Sequence, residues 1–154
     1  MSGRIEARLG ELGLVLPQAT APVANYRPWT RSGALLFISG QVPLQEGRIA
    51  VTGRLGETVS VEEGQRAARL CALNILAQAK AALGDLDRVR QLLKLGGFVA
   101  CTPDFTDHPR VVNGASDLMV EVFGDAGRHA RFAVGCPSLP LGAAVEVEAI
   151  FEVA

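Results

Sequence analysis

The chain has 154 residues, 49% of them apolar and 20% charged, with a net charge of −1. That is one domain's length, and apolar enough to build a core without metal or disulfide staples. The near-neutral balance excludes a basic nucleic-acid footprint, and no apolar run is long enough to cross a bilayer.

Met1 to Gly13 mixes Arg4, Glu6, Arg8 and Glu11 with Ile5, Leu9 and Leu12. This reads as a short amphipathic helix rather than a signal peptide. Pro17 to Pro28 is loop-like, punctuated by Pro17, Pro22 and Pro28. Leu35 to Ser39 is a buried strand ending at Gly40, Gly47 marks a turn, and Arg48 to Val51 reads as a returning strand. Ser60 with Glu63 three residues on forms a capping box. A long helix runs from there to Leu83, and Gly84 is placed to end it. Asp85 to Asp87 make a turn. Val89 to Ala100 is a long strand, in which Gly96-Gly97 signals a bulge or a close approach.

A second helix starts near Asp107 or Pro109, carries an apolar stripe of Val112, Ala115, Met119, Val122 and Phe123, and ends at Gly124. Ala130 to Cys136 is a strand, Pro137 to Gly142 a turn, and Val145 to Val153 a strand of clean alternation. The order is β-β-α-β-α-β-β, an α+β pattern with two long helices on one face of a sheet. In the last strand Val145, Val147, Ala149 and Phe151 share one face, opposite Glu146, Glu148 and Ile150. In the strand before it, Phe132, Val134 and Cys136 oppose Arg131, Ala133 and Gly135. Placing each bulky set under the helices puts Arg131 and the glutamates together on the uncovered face, which suits packing on other subunits. The three cysteines, Cys71, Cys101 and Cys136, show no CxxC spacing and read as reduced thiols of a cytoplasmic protein.

Four stretches resemble the RidA/YjgF family, also known as L-PSP endoribonuclease-like. They are Ile38-Ser39-Gly40-Gln41-Val42-Pro43, then Asp104-Phe105 with Val112-Asn113, then Ala130-Arg131-Phe132-Ala133-Val134, and Leu139-Pro140 with Val145-Glu146-Val147-Glu148-Ala149. Their order and spacing agree with the family from about Ala21 to Val153. Leu55-Gly56, Val112 to Asp117 and Gly127 to Arg131 mark a divergent branch. The cysteine that often follows two residues after the motif arginine is Ala133 here; a contribution through its backbone would survive the change. The resemblance implies a chorismate-mutase-like fold with an about six-stranded mixed sheet, assembled as a homotrimer. Residues 1–20 would be an N-terminal extension, capping a pocket or an interface, and 21–154 the family domain. It further implies hydrolysis of enamines and imines such as 2-aminoacrylate to 2-keto acids and ammonia, in pockets between subunits, with neither metal nor organic cofactor.

Carried onto this sequence, the motifs nominate Arg131 to grip a substrate carboxylate, since a planar guanidinium offers two parallel hydrogen bonds. Its structural alternative is an intersubunit ion pair. Glu146 is nominated to orient or activate water, or else to pair structurally; Glu148, of the same parity, reads as structural. Tyr26 matches a pocket tyrosine, Ser39 and Gly40 a strand end whose hydroxyl and N–H can bond a ligand, and Asn113 a motif asparagine. Ala133 would bind through its backbone. His108 and His129 show no metal-ligand spacing and read as surface or interface residues, with His129 beside Arg131. The alternatives to a deaminase are a non-catalytic regulatory trimer holding a small carboxylate and an endoribonuclease. The near-neutral charge and the lack of a histidine pair disfavour the latter. The expected partners are a small carboxylate-bearing molecule and two further copies of the chain, with no membrane and no nucleic acid.

Overall fold

The computed structural model describes residues 3–21 and 25–154. In chain order these form α1 (Arg4–Glu11), β1 (Trp29–Ser32), β2 (Leu35–Gln41), β3 (Leu44–Gln45), β4 (Arg48–Ile49), α2 (Val61–Leu83), β5 (Val89–Ala100), α3 (His108–Phe123), β6 (Ala130–Cys136) and β7 (Val145–Val153). Short 3-10 turns at Leu86–Arg88, Gly124–Gly127 and Pro140–Gly142 connect them. Five strands form one mixed sheet in the order β1-β2-β7-β5-β6, in which only β5 and β6 run parallel. The pair β3-β4 stands apart as a two-stranded hairpin, so the expected sheet of about six strands resolves into five plus that hairpin.

Helix α2 begins as its residues dictate. Ser60 Oγ accepts from Glu63 N at 3.1 Å while the Glu63 carboxylate accepts from Ser60 N at 3.3 Å. Gly84, at φ 80°, ends it. Its buried side is rich in alanine (Ala67, Ala68, Ala72, Ala77, Ala79), which lets α3 pack close. Gly114 of α3 sits against the Gln65 backbone, where any Cβ would collide.

Helix α1 lacks a side-chain cap of its own. Asp87 substitutes from a distance, accepting from Arg4 N and Ile5 N at 2.8 Å each. These two backbone bonds hold the Asp87 carboxyl below its ordinary pKa. Ile5 and Leu9, one turn apart, join the same core as the sheet and the long helices.

That core lies between the sheet and the α2–α3 layer, with Leu36, Leu92, Leu95, Val99, Val145, Val147 and Phe151 facing the helices. Phe151 is fully buried, its ring set edge-on to Phe123 at 6.1 Å. Phe151→Ala is expected to cost about 3–5 kcal/mol. Urea unfolding checks this, and a loss under about 1 kcal/mol would contradict the core assignment.

The face of β6 departs from the expectation. Phe98 pairs with Glu146 on one side and Val134 on the other, so Phe132, Val134 and Cys136 share the uncovered face with the glutamates. Arg131, Ala133 and Gly135 therefore point toward the helices. The size rule fails because past Arg131 α3 packs so close to this edge that only Ala133 and Gly135 fit beneath it. A Cβ at Gly97 would lie 2.6 Å from Val112 of α3. Phe132 instead takes the room left on the other face by Gly96 and packs edge-on against Phe98 at 5.2 Å. The Gly96-Gly97 pair is thus a double close approach, one on each face, and the register shifts of β5 fall nearer its start.

Candidate functional site

The nominated residues fall into two groups on opposite sides of the sheet. The first is built on β6 and α3. Arg131 Nη1 donates to Asn113 Oδ1 at 2.8 Å and to Ser116 Oγ at 3.1 Å, and Nη2 reaches the Pro109 carbonyl weakly at 3.5 Å. Asn113 and Ser116 lie three residues apart on α3 and so present to the same side. Ser116 Oγ also lies 2.9 Å from His129 Nε2, while His129 Nδ1 lies 2.6 Å from the Gly127 carbonyl. A carbonyl can only accept, so Nδ1 carries the proton and Nε2 accepts from the Ser116 hydroxyl. The serine oxygen is then left to accept from Arg131. The chain Gly127–His129–Ser116–Arg131 fixes one edge of the guanidinium, and among the described residues Nε has no partner and Nη2 only the weak contact to Pro109. Ala133 is half-buried two residues further along the same face.

This relay requires a neutral imidazole, and the surroundings supply one. Burial lowers the His129 pKa, the bond to Gly127 opposes that, and the nearby Arg131 charge lowers it further. His129 therefore charges only below the ordinary histidine range. Ser116→Ala removes an acceptor from Arg131 without touching the free edge. We expect a roughly fivefold weaker grip on a small carboxylate, the equivalent of about 1 kcal/mol for one hydrogen bond. In steady-state kinetics this appears as a kcat/KM lowered by about the same factor, and an unaltered kcat/KM would contradict the relay.

The second group sits on β2 and β7. Glu146 faces Gly40 across the β2–β7 pair, and a Cβ at position 40 would collide with its Oε2. Glycine is thus required there by the carboxylate beside it. Burial raises the Glu146 pKa above the ordinary carboxylate value, and repulsion from Glu148 adds to the shift. Ser39 donates its hydroxyl to the Arg27 carbonyl at 2.7 Å, pinning the chain that leads from Tyr26. Tyr26 is 53% exposed. With Gly40 it lines a cavity of about 90 Å³ that Asn74 and Gln78 of α2 also border. Thr20 and Ala21 close its rim, with Gln78 Nε2 donating to the Thr20 carbonyl at 2.9 Å. The segment before β1 thus borders this cavity.

Within one chain the two groups do not meet. β7 and β6 are two strand spacings apart, and Arg131 is three residues from the position level with Glu146. Strand spacing and rise put their backbones roughly 14 Å apart, with side chains on opposite faces. Ser116, and Asn74 and Gln78 as cavity residues, were not among the residues nominated from the sequence. Ser116 lies one turn from the motif Asn113, which is the one signal that points to it.

Among the described residues no three His, Cys, Asp or Glu side chains are grouped to hold a metal ion. No described helix is long and apolar enough to cross a membrane.

Comparison with known proteins agrees with this architecture. The Trypanosoma cruzi protein TCP17 is 53% identical over 152 residues, covering 98% of this chain and 95% of that protein. The crystal structure of Atu1372 from Agrobacterium tumefaciens is 56% identical and superposes with a TM-score of 0.92, covering 97% of this chain and 92% of that one. The structure of E. coli TdcF with bound serine is 25% identical with a TM-score of 0.65, covering 89% and 94%. Residues 6–153 match the family described as YjgF/chorismate mutase-like, putative endoribonuclease. By that match, and by relatives sharing more than half of its residues along nearly its whole length, the chain belongs to the YjgF/chorismate mutase-like family.

Proposed function

We propose that this protein hydrolyses small enamine and imine carboxylates, of the 2-aminoacrylate kind, to 2-keto acids and ammonia, at sites completed by a second copy of the chain. The observation that carries the reading is the division of labour across the sheet. Arg131 is pre-oriented with one edge free, and a carboxylate of raised pKa stands beside Gly40 on the other face. A three-carbon substrate cannot span both within one subunit, so the pocket forms where the β6 edge of one copy meets β2 and β7 of another. Closed assembly places every copy in the same relation, and a trimer gives three equivalent sites. The exposed apolar residues Leu35, Phe37 and Val134 on the uncovered face favour such burial.

The chemistry follows from the groups. Arg131 holds the substrate carboxylate. The enamine takes a proton from solvent at carbon to become the iminium, and water adds to the iminium carbon. Glu146 accepts a proton from that water as it attacks. The proton returns to nitrogen, the carbinolamine hydroxyl gives its proton to solvent as the keto group forms, and ammonia leaves. Gly40 N–H and Tyr26 wall the pocket on the Glu146 side, and the binding of serine by TdcF supports a small amino-acid-like ligand.

Wild-type protein should accelerate 2-aminoacrylate hydrolysis, with the substrate generated in situ and the keto acid followed over time. Glu146 must be ionised to act. Its pKa is raised, so kcat/KM should climb with pH through a range above that of an ordinary glutamate and then level. Glu146→Gln should abolish that limb along with most of the rate. A folded wild-type protein that binds keto acids without any acceleration would turn the reading to a carboxylate-binding regulator. RNA cleavage has less support. His108 opens α3 and lies against Cys101, whereas His129 meets α3 at Ser116, about 12 Å further along by helix rise, so the two do not form an acid–base pair.

A further inference from the structure

We propose that the cavity at the end of β5 is a second reactive site, in which the Cys101 thiol, with His108 as its proton acceptor, adds covalently to small α,β-unsaturated carbonyl compounds. The cavity is about 390 Å³ and is bordered by Arg54, Cys101, Phe105, His108, Gly135 and Pro137, among others. None of these residues belongs to the Arg131 or Glu146 groups.

Four features point to chemistry here. Cys101 Sγ lies 3.4 Å from His108 Nε2, within reach of an S–H···N bond. The pair exists only because residue 135 is glycine. A Cβ there would lie 2.6 Å from both Sγ and Nε2, so the missing side chain is the space the dyad occupies. The imidazole is also held in place, with Phe105 edge-on to it at 5.4 Å and its backbone in the first turn of α3. Arg54 supplies the electrophilic partner. Its Nε binds Glu57 at 2.7 Å, which leaves Nη1 without a partner among the described residues and available to polarise a carbonyl.

The reaction balances without an oxidant. Sulfur attacks the β-carbon while the thiol proton passes to Nε2. The C=C electron pair moves toward the carbonyl, where Arg54 stabilises the enolate. The imidazolium then returns the proton to the α-carbon, giving a thioether and a neutral dyad. The imidazole is needed because burial pushes the Cys101 thiol pKa up, more than the backbone bond to Cys136 and the Arg54 charge pull it down. Cys136 and Arg54, with Glu57 paired to it, are the other titratable or charged groups near the thiol. Cys71, fully buried under β7, serves as an unreactive reference.

The test uses N-ethylmaleimide on the intact wild-type protein, with peptide mass spectrometry at early times. Cys101 should be modified before Cys136, and Cys71 not at all. His108→Gln should slow Cys101 about 100-fold, the low end for a positioned general base, with Cys136 unchanged. Modification of Cys136 first, or an equal Cys101 rate in a folded His108→Gln protein, would each overturn the proposal. The wild-type order of modification decides the matter even where the variant fails to fold.

Discussion

Arg131→Ala should lower kcat/KM for 2-aminoacrylate hydrolysis roughly 100-fold or more. Two charge-assisted hydrogen bonds from the free Nε–Nη2 edge are lost, at about 1.5 kcal/mol each at the low end, giving about 3 kcal/mol. The loss should fall on both KM and kcat, because the carboxylate grip also sets the position of the imine carbon relative to the attacking water. Arg131→Lys keeps the charge but not the planar fork, and should recover only part of the rate. Arg131 is only half-buried, and its fixed partners Asn113 and Ser116 are neutral groups on α3. The variant should therefore fold, leaving an amide and a hydroxyl that water can satisfy. Thermal melting establishes this, and a folded Arg131→Ala protein with more than half the wild-type rate would remove Arg131 from the mechanism.

How much of this was legible in the sequence depends on where the information lay. The bounds of α2, β5, β6 and β7 could be read because local signals coincide there: a capping box, a terminating glycine and unbroken alternation. β1 was passed over because its register is set by pairing with β2 and not by a pattern of its own, three of its four residues being exposed. The orientation of β6 is hidden for a specific reason. Bulk in a strand points to the core, yet the close approach of α3 at Gly97 and Gly135 selects small residues on the covered side. That expectation puts Arg131 beside the glutamates, whereas the sheet separates them.

The site residues fared differently. Arg131, Asn113 and Glu146 came from motif matches, and the structure gives the first two a direct bond. The part played by Ser116 was hidden because it depends on the tautomer of His129, thirteen residues on, which is fixed by a backbone carbonyl. No spacing rule encodes such a bond. The Cys101–His108 pair was equally silent, since it joins a strand end to a helix start across a loop and needs a glycine 27 residues later to make room.

The central claim is that Arg131 and Glu146 act on one substrate from different chains. It is tested most directly by mixing two inactive proteins. Arg131→Ala and Glu146→Gln chains are unfolded together in equal amounts, refolded and assayed for 2-aminoacrylate hydrolysis. If each site takes Arg131 from one chain and Glu146 from its neighbour, random assembly leaves both intact at about one site in four. The mixture should then recover about a quarter of the activity that wild type regains after the same treatment, while each variant refolded alone stays inactive. Activity in the mixture no greater than the mean of the two variants, with mixed oligomers shown by mass spectrometry, would contradict the shared site.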